Sequence, residues 1–306
     1  MLRNGATAPE PNGAPDGAPN GHPAVAARRS RAVRRRGRAR FNLWAGAFLI
    51  GSVVAAALLS FVWLPHDPLA LDFAVQLKGP TAAHPFGTDH FGRDLLSRVL
   101  VGARSSLYVG FIAVGLALGV GSLLGALGGF LGGFFDEVIM RLVDVAYAFP
   151  AILMALLLAA VYEPGTLTAM TAIGIATVPI FARIARASVL SLKERDYVEA
   201  GRALGVGEGR LLLRHIMPGA IGPLVVQASL SLAVAVLAEA ALTFLGLGSP
   251  PDVPSWGNML REAQSFLALS PYPALVPGLA IVWTVLGWSL LGDGLWDVWD
   301  PRSRNG

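Results

Sequence analysis

Histidine, aspartate and arginine are concentrated in one polar stretch, residues 84–98, which reads HPFGTDHFGRDLLSR. These are side chains that ligate metals or move protons in enzymes. A ligand pair of His84 and His90 is the first arrangement to consider. Their spacing does not place both rings on one face of a helix, and Pro85 and Gly87 favour a loop. The spacing therefore predicts no metal site in this stretch.

Glu239 is a second candidate, because it stands alone in an apolar stretch long enough to cross a membrane. A carboxylate inside a membrane is costly and often marks a functional site. The same residue can instead face the interior of a helix bundle, or a partner near the outer end of its span. The sequence leaves contact with a substrate and a packed interior position both open.

Several kinds of chemistry are excluded by what the chain lacks. It has no cysteine, so disulfides and thiol catalysis are absent. Its two lysines, Lys78 and Lys193, do not follow a Gly-x-x-x-x-Gly sequence, which excludes a P-loop. All histidines lie outside the apolar stretches and no Gly-x-Ser-x-Gly is present, so an intramembrane hydrolase is not expected. We expect no catalytic residue, no metal and no bound cofactor.

The composition indicates an integral membrane protein. Of 306 residues, 54% are hydrophobic and 14% are charged, whereas a soluble domain carries roughly 25% charge. Residues 1–41 are predicted to form a disordered, basic N-terminal segment. Residues 1–27 are rich in Pro, Gly, Ala and Asn and are predicted to be disordered, and eight arginines follow up to residue 40. Beside a membrane span, such a run is expected to stay in the cytoplasm rather than to bind nucleic acid.

We predict an all-α protein with six transmembrane helices. The first, Leu43–Leu64, has no charged residue. At 1.5 Å per residue it would be about 33 Å long, enough for a hydrocarbon core of ~30 Å. The apolar part of a signal peptide would be shorter, about 7–15 residues. The other predicted spans are 105–130, 136–161, 167–184, 220–244 and 273–291.

Basic residues predict which side of the membrane each connection occupies. The connection between spans four and five is rich in Arg, as is the segment before span one, and basic loops stay in the cytoplasm. Both termini are therefore predicted to be cytoplasmic. Residues 42–104 then comprise the first span and an extracytoplasmic segment, residues 105–293 the main membrane domain, and residues 294–306 a cytoplasmic tail.

Three local patterns add detail to these spans. Glycines of span two recur at small-x-x-x-small spacings, which let helices approach closely in lipid. They are Gly115, Gly119, Gly121, Gly125, Gly128 and Gly129. Arg141 and Asp144, near the start of span three, are three residues apart and are predicted to pair. Met259–Leu267 is predicted to be an amphipathic helix on the membrane surface, with Trp256 at the interface.

The polar stretch 196–218, between spans four and five, has helix start and stop signals of its own. Asp196 precedes Glu199 by three residues, a spacing that predicts a capping box with Asp196 as the N-cap. Gly205 is placed to end this helix in the left-handed conformation. A second short helix, 206–216, is predicted to stop before Pro218. The pattern fits a docking element, although an ordinary helical loop would look similar.

Particular residues in this stretch resemble the EAA loop of ABC-importer permeases, which reads Glu-Ala-Ala, three residues, Gly, and then Leu-Pro. Here Glu199, Ala200 and Gly201 are followed by Gly205, and later by Met217-Pro218. The sequence departs from the pattern at Gly201, His215 and Met217. Gly in place of Ala costs about 1 kcal/mol of helix propensity.

Three further segments resemble signatures of the dipeptide, oligopeptide and nickel importer permeases. Residues 84–98 are similar to their HPFGTD-x-x-GRD-x-x-SR segment, and residues 245–263 to FLGLG…PSWG-x-ML-x-EA. Residues 292–302 are similar to GDGLRD-x-x-DPR, with Trp296 in place of Arg. Residues 84–98 and 245–263 are both predicted to be extracytoplasmic, and we call them the two outer motifs. The residues that carry them are His84, Gly87, Asp89, Gly92, Arg93, Asp94, Pro254, Trp256 and Gly257.

The resemblance covers about residues 42–302 and implies the C-type permease subunit of such an importer, with the type I permease fold. It implies a second homologous permease, two separate ATPase subunits and an extracytoplasmic binding protein as partners, in the cell membrane of a prokaryote. Asp196, Glu199, Ala200, Gly201, Gly205 and Pro218 would then couple the chain to the ATPases. The substrate would be a peptide or a related small solute such as nickel. A secondary transporter or channel subunit without ATP coupling is the alternative.

Overall fold

Long apolar helices make up most of residues 23–299, the part of the chain that the computed structural model describes, with side chains described from residue 40 onward. In chain order the α-helices are α1 (Pro23–Val62), α2 (Leu95–Leu131), α3 (Gly133–Ala148), α4 (Ala151–Tyr162), α5 (Thr166–Lys193), α6 (Asp196–Ala203), α7 (Glu208–Arg210), α8 (Met217–Phe244), α9 (Trp256–Ala263) and α10 (Tyr272–Trp299). Short 3-10 turns lie at Phe73–Val75 and Gln264–Phe266. No strand occurs in the described ranges, which agrees with the all-α prediction.

Five helices are long and apolar enough to cross a membrane: α1 from Arg40, α2, α5, the continuous helix Glu208–Phe244, and α10. The bent pair of α3 and α4 makes a sixth span when the two are counted together. Large apolar side chains on these helices are exposed, among them Phe48, Phe111 and Trp283. Surfaces of this kind are stable in lipid and not in water. The predicted number of spans therefore agrees with the structure.

Three helices extend beyond the predicted spans. α1 begins at Pro23, so residues 23–41 are helical where the sequence predicts disorder. Ala and Arg dominate this segment and are both strong helix formers. α2 begins at Leu95 rather than at residue 105, because the Asp94 carboxylate caps it by accepting the Ser97 N–H at 2.8 Å. α10 continues to Trp299, within the predicted tail. Residues 1–22 and 300–306, on which the remaining predictions of disorder and of a tail fall, lie outside the described residues.

The third predicted span is broken in two. α3 and α4 meet at an angle of 88° on either side of Phe149-Pro150. Phe149 is extended, with φ −84° and ψ 121°. A residue before proline is sterically disfavoured in the helical region, and proline itself cannot donate a backbone hydrogen bond. The sequence prediction of one continuous span through Pro150 is therefore wrong.

The short helices distinguish the two ends of the bundle. α6 connects α5 to α8 at one end, which we call the α6 end, and α9 connects α8 to α10 at the other, which we call the α9 end. α2 packs along α5, α8 packs against α2, α5 and α10, and α1 packs against α10. The largest core cluster joins these helices through buried residues such as Val109, Phe181 and Leu224.

Glycines allow α2 and α5 to approach backbone to backbone. A Cβ added to Gly121 would lie 2.6 Å from the carbonyl oxygen of Val178, and one on Gly129 would lie 2.9 Å from that of Arg186. A Cβ on Gly125, between them, would collide with the Ala182 carbonyl. These glycines recur every four residues and form one stripe on α2. The predicted role of small residues is confirmed for this stripe.

The three other glycines of the predicted set do not contribute to this contact, and Gly128 faces Asp136 of α3 instead. A Cβ on Gly115 or on Gly119 would meet no atom within 4 Å. They share the spacing but face away from α5. The sequence pattern alone did not distinguish the two groups.

The α3 ion pairs differ from the predicted pair of Arg141 and Asp144. The Asp144 carboxylate instead lies 2.8 Å from Arg183 of α5. Arg141 faces Glu137 at 3.9 Å, in an exposed position. A guanidinium from the neighbouring helix reaches Asp144 directly, so the local pair does not form. The same two helices are joined nearby by Asp136 and Arg186, with two hydrogen bonds of 2.6 Å.

α9 packs into the bundle, whereas the sequence predicts a helix lying on the membrane surface. It runs from Trp256 to Ala263 rather than from Met259 to Leu267, and the Trp256 side chain is buried in the bundle. The indole Nε1 donates a hydrogen bond to the Val99 carbonyl at 3.1 Å. Gly102 leaves room for the ring, since a Cβ there would lie 2.6 Å from it. The placement of Trp256 at the lipid interface is therefore wrong.

Replacing Gly125 with alanine tests the contact between α2 and α5. The added methyl group has no space against the Ala182 backbone, so we expect a loss of about 1–3 kcal/mol of stability, the usual cost of overpacking. The matched control is Gly119→Ala, which adds the same group into open space and improves helix propensity. Thermal unfolding in detergent measures both. Equal melting temperatures for the two variants would contradict the close approach.

Candidate functional site

α6 is held on the bundle by one fully buried side chain. Val198 packs in a small apolar cluster with Ala126 of α2, Val189 of α5 and Leu211 and Ile216 of the following π-helical turn. Gly201, one turn further along α6, faces Leu211, and a Cβ there would lie 2.8 Å from that side chain. The departure from alanine at position 201 thus has a packing reason. α6 is therefore fixed to both α5 and α8.

α6 ends in a Schellman motif, and Gly205 has the left-handed conformation that the sequence predicts. Gly205 has φ +75° and donates its N–H to the Arg202 carbonyl at 2.9 Å. The N–H of Val206 bonds to the Gly201 carbonyl at 3.0 Å. This hydrogen-bond pair requires a left-handed residue, which only glycine adopts at little cost. The predicted helix break is confirmed.

The start of α6 is not the predicted capping box. Arg195 is the N-cap, and its side chain makes no capping hydrogen bond. Asp196 is the first helical residue, so it is one position too late to cap the helix. Asp196 and Glu199 both lie in the first turn of the helix. There their negative charges interact favourably with the partial positive charge of the helix N-terminus.

The predicted stop before Pro218 is also wrong. α7, the π-helical turn Leu211–Ile216 and α8 form one continuous helix from Glu208 to Phe244. Pro218 is at the second position of α8 and lacks the backbone N–H that would bond to a carbonyl of the preceding turn. The π-helical turn just before it widens the backbone, and Met217 donates to the Leu212 carbonyl, five residues back. This wider turn accommodates the proline without a break.

The outward side of α6 combines apolar and acidic groups. Leu204 is 84% exposed and Tyr197 is 43% exposed. Asp196, Glu199 and Ala200 are exposed beside them. Such a surface on a short, rigidly held helix is suited to contact another protein.

An exposed ion pair links the two sides of the Gly205 turn. Arg202 of α6 donates from Nε to Glu208 of α7 at 2.9 Å. This hydrogen bond raises the pKa of the Arg202 guanidinium. Both side chains are exposed, so the pair orients the turn more than it stabilises it.

At the α9 end, four charged residues form a buried network. The Asp89 Oδ2 accepts hydrogen bonds from Arg93 Nε at 2.6 Å and from Arg98 Nη1 at 2.7 Å. The Glu262 Oε2 accepts from the same two arginines, at 2.6 Å and 3.0 Å. Two positive and two negative groups thus alternate around a ring. The network joins the segment before α2, the first turns of α2, and α9.

The outer motif residues take different parts in this structure. Asp89, Arg93 and Asp94 are brought together around the start of α2, whereas Gly87 and Gly92 supply left-handed turns with φ +85° and +77°. Pro254, Trp256 and Gly257 lead into or lie on α9, with Trp256 and Gly257 buried. His84 contacts the Asp94 carboxylate at 3.0 Å, not His90.

Sequence reasoning missed two members of the network, Arg98 and Glu262. They lie 164 residues apart in the chain. The signal that could have found them is their presence in the two outer motifs, one in each. His90 lies beside the network, stacked on Phe266 at 4.7 Å between ring centroids, and burial lowers its pKa.

Removing one arginine from the network leaves Asp89 and Glu262 to share the other, so one buried negative charge is no longer balanced. Arg98→Ala is therefore expected to cost about 3–5 kcal/mol, since Asp89 and Glu262 lose a partner that is 1% exposed. The matched control is Arg141→Ala, which breaks a pair that is 78% and 70% exposed. That change should cost no more than about 1 kcal/mol. Thermal unfolding of both variants in the same detergent measures the two losses of stability. Similar losses for the two variants would contradict the role of the network.

Glu239 faces the interior of the bundle near the α9 end and is 1% exposed. Its Oε1 accepts a hydrogen bond from Thr243 at 3.0 Å and one from Ser249 at 3.5 Å. Its Oε2 has no partner among the described residues, and neither has the nearby hydroxyl of Ser106. This places the residue in the interior position, one of the two that the sequence left open.

The match to known proteins identifies the class to which this bundle belongs. Residues 117–305 match the family described as "Binding-protein-dependent transport system inner membrane component". The chain belongs to this family. It is therefore the membrane-spanning permease subunit of an ABC importer, in which the ATPase is a separate subunit and a binding protein takes part.

Individual relatives agree with this assignment. The chain is 39% identical over 259 residues to the dipeptide transport system permease protein DppC of Alkalihalophilus pseudofirmus, covering 85% of this chain and 84% of that one. It is 40% identical over 272 residues to the glutathione transport system permease protein GsiD of Escherichia coli, covering 89% of each chain. The relatives give no support to the alternative of a secondary transporter or channel.

A solved structure shares the fold. The MetNI methionine ABC transporter, in an inward-facing conformation, matches with a TM-score of 0.54 and 16% identity. The match covers 64% of this chain and 93% of that chain. At this identity the likeness supports the type I permease fold alone.

Proposed function

We propose that this permease subunit imports small peptides, in the range from dipeptides to glutathione, that an extracytoplasmic binding protein delivers. The names of the relatives support a peptide substrate, because they include dipeptide and glutathione permeases at about 40% identity. Nickel, which the sequence resemblance also allowed, is the second candidate.

α6 is the element through which the chain is coupled to its ATPases. The observation that carries this proposal is its dual character: Val198 is fully buried in the bundle while Glu199, Ala200 and Leu204 are exposed. A helix that is anchored on one side and uncovered on the other can transmit a displacement from a partner. We infer that an ATPase subunit receives this exposed side in a groove, and that Asp196 and Glu199 pair with basic groups there.

A second homologous permease covers α3 and α4. These two helices bury only Val143 and Ala155 within the described chain. Most of their other large apolar residues, such as Leu142, Ile152 and Leu157, are exposed. A broken span that is so little buried in its own subunit is suited to an interface where the substrate path opens.

The charge distribution supports the direction of the chain in the membrane. Connections at the α6 end contain most of the basic residues between spans, so this end faces the cytoplasm, where the ATPases are. The α9 end then faces outward, and the binding protein docks on residues 84–98 and 250–267. The membrane is the cell membrane of a prokaryote.

Gly205→Val tests whether the break after α6 is needed for coupling. The left-handed conformation costs a non-glycine residue roughly 1–2 kcal/mol, so α6 would shift or fray. We expect ATP-driven peptide uptake to fall at least tenfold in proteoliposomes that hold the whole transporter, with insertion of the chain unchanged. Gly209→Val is the control, because Gly209 is exposed, has open space around it and no left-handed backbone. Normal uptake by the Gly205 variant would refute the role of the turn.

Glu199→Lys tests the contact surface without disturbing packing. The side chain is exposed, so the variant should fold and insert normally while losing substrate-stimulated ATP hydrolysis. Glu194→Lys makes the same charge change at an exposed position outside α6 and should keep the stimulation. The assay is ATPase activity of the reconstituted complex with and without loaded binding protein. Equal stimulation in both variants would place the ATPase contact elsewhere.

The composition of the complex tests the proposal as a whole. The tagged chain, mildly solubilised from its own membranes, should retain a second six-span permease and P-loop ATPases, which mass spectrometry identifies. Recovery of the chain alone, under conditions that keep a reference ABC importer intact, would contradict the proposed partners.

A further inference from the structure

We propose that His66, His84 and Asp94 form a binding site for a divalent transition-metal ion at the α9 end of the bundle. Their potential ligand atoms all lie within 4.8 Å of one another. His66 follows α1, His84 lies in the second half of the segment between α1 and α2, and Asp94 is the N-cap of α2. The site thus joins three points of the chain that the sequence does not place together.

Two of the three distances between ligand atoms bracket the value expected for a tetrahedral ion. The Nδ1 of His84 is 3.0 Å from the Asp94 Oδ1, and the Nδ1 of His66 is 3.9 Å from the same oxygen. Ligands at about 2.1 Å from zinc in a tetrahedron are about 3.4 Å apart, a value between these two. The His66 side chain is 41% exposed and can turn by the small amount needed. The three protein ligands leave the fourth coordination position of the ion for water.

The Asp94 carboxylate is oriented as a metal ligand would be. Its Oδ2 accepts hydrogen bonds from the backbone N–H and the hydroxyl of Ser97, both at 2.8 Å. The same hydroxyl accepts the backbone N–H of His66 at 3.1 Å. Oδ1 therefore remains directed at the two histidines. Outer contacts that fix ligand orientation in this way are typical of metal sites.

The charge of the surroundings also favours a cation here. The Asp94 carboxylate is fully buried, and the described residues pair it with the two histidines and Ser97 rather than with an arginine or lysine. The carboxylate can therefore offer its negative charge to a metal ion, with the two imidazoles as nitrogen ligands. Imidazole and carboxylate together suit Zn²⁺, Ni²⁺ or Co²⁺ better than Mg²⁺ or Ca²⁺, which prefer oxygen ligands only.

A second group with metal-ligand spacing does not qualify. Asp89, His90 and Glu262 also have ligand atoms within 4.8 Å. However, Arg93 and Arg98 already bond to both of these carboxylates, and their positive charges oppose a cation. Both clusters lie at the α9 end, but only the one without arginine partners is suited to a metal ion.

An ion at the proposed site would fasten residue 66 to residue 94. It would hold the intervening segment, which contains most of one outer motif, on the first turn of α2. We therefore expect Zn²⁺ to raise the melting temperature of the chain in proportion to the logarithm of its concentration, as any ligand of the folded state does.

The test uses the full chain in lipid nanodiscs, purified with an affinity tag that contains no histidine. Titration with Zn²⁺ against a chromophoric chelator should show one equivalent bound, and Co²⁺ should give the visible absorption of a four-coordinate ion. His66→Ala should weaken Zn²⁺ binding at least tenfold. His90→Ala is the matched control and should leave the affinity unchanged. The absence of stoichiometric Zn²⁺ binding, or equal affinity in the His66 variant, would overturn the proposal.

Asp94→Asn keeps the proposal testable where a larger change would disturb α2. Asparagine is a good N-cap, so the start of the helix should be preserved. The variant removes the negative charge and the ligand oxygen that faces the histidines. We expect the metal-free melting temperature to change little, while Zn²⁺ binding falls at least tenfold. Retained binding would show that the ion is held by other groups and would overturn the assignment.

Discussion

The close contact between α2 and α5 is the constraint on which the other features depend. The stripe of Gly121, Gly125 and Gly129 lets the two backbones touch over about 12 Å of helix. In lipid no hydrophobic effect pushes helices together, so this packing has to supply the association. α2 begins in the buried ion network at one end, and α5 leads into α6 at the other. The glycine stripe therefore makes a single rigid unit of the two ends that have functional features.

The charged residues at the two ends of the bundle are paired in different ways. At the α9 end the charges are enclosed and neutralise one another, in the ring of Asp89, Arg93, Arg98 and Glu262. At the α6 end the ion pairs are more exposed and join neighbouring helices, as Asp136 does with Arg186. The enclosed network suits a structure that must keep its shape, whereas the exposed surface of α6 remains free for a partner.

Sequence patterns predicted the helical class, the number of spans, the left-handed turn at Gly205 and the small-residue contact of α2. These depend on composition and short-range spacing, which are visible in the chain. Errors arose where a distant element supplied the decisive contact. Arg183 displaced Arg141 as the partner of Asp144, Gly102 made room for Trp256 inside the bundle, and Glu262 joined the network from α9. The break at Phe149-Pro150 was a local error, since the steric effect of proline on the preceding residue was readable.

The continuous helix Glu208–Phe244 has a mechanical consequence. With 37 residues it is about 55 Å long, and the π-helical turn allows it to pass Pro218 without a break. One end packs on Val198 through Leu211, and Glu239 with its hydroxyl partners lies near the other. A tilt of about 5° around one end of such a rod would displace the far end by roughly 5 Å. Motion imposed at the α6 end would thus reach the opposite end of the bundle without passing through a loop.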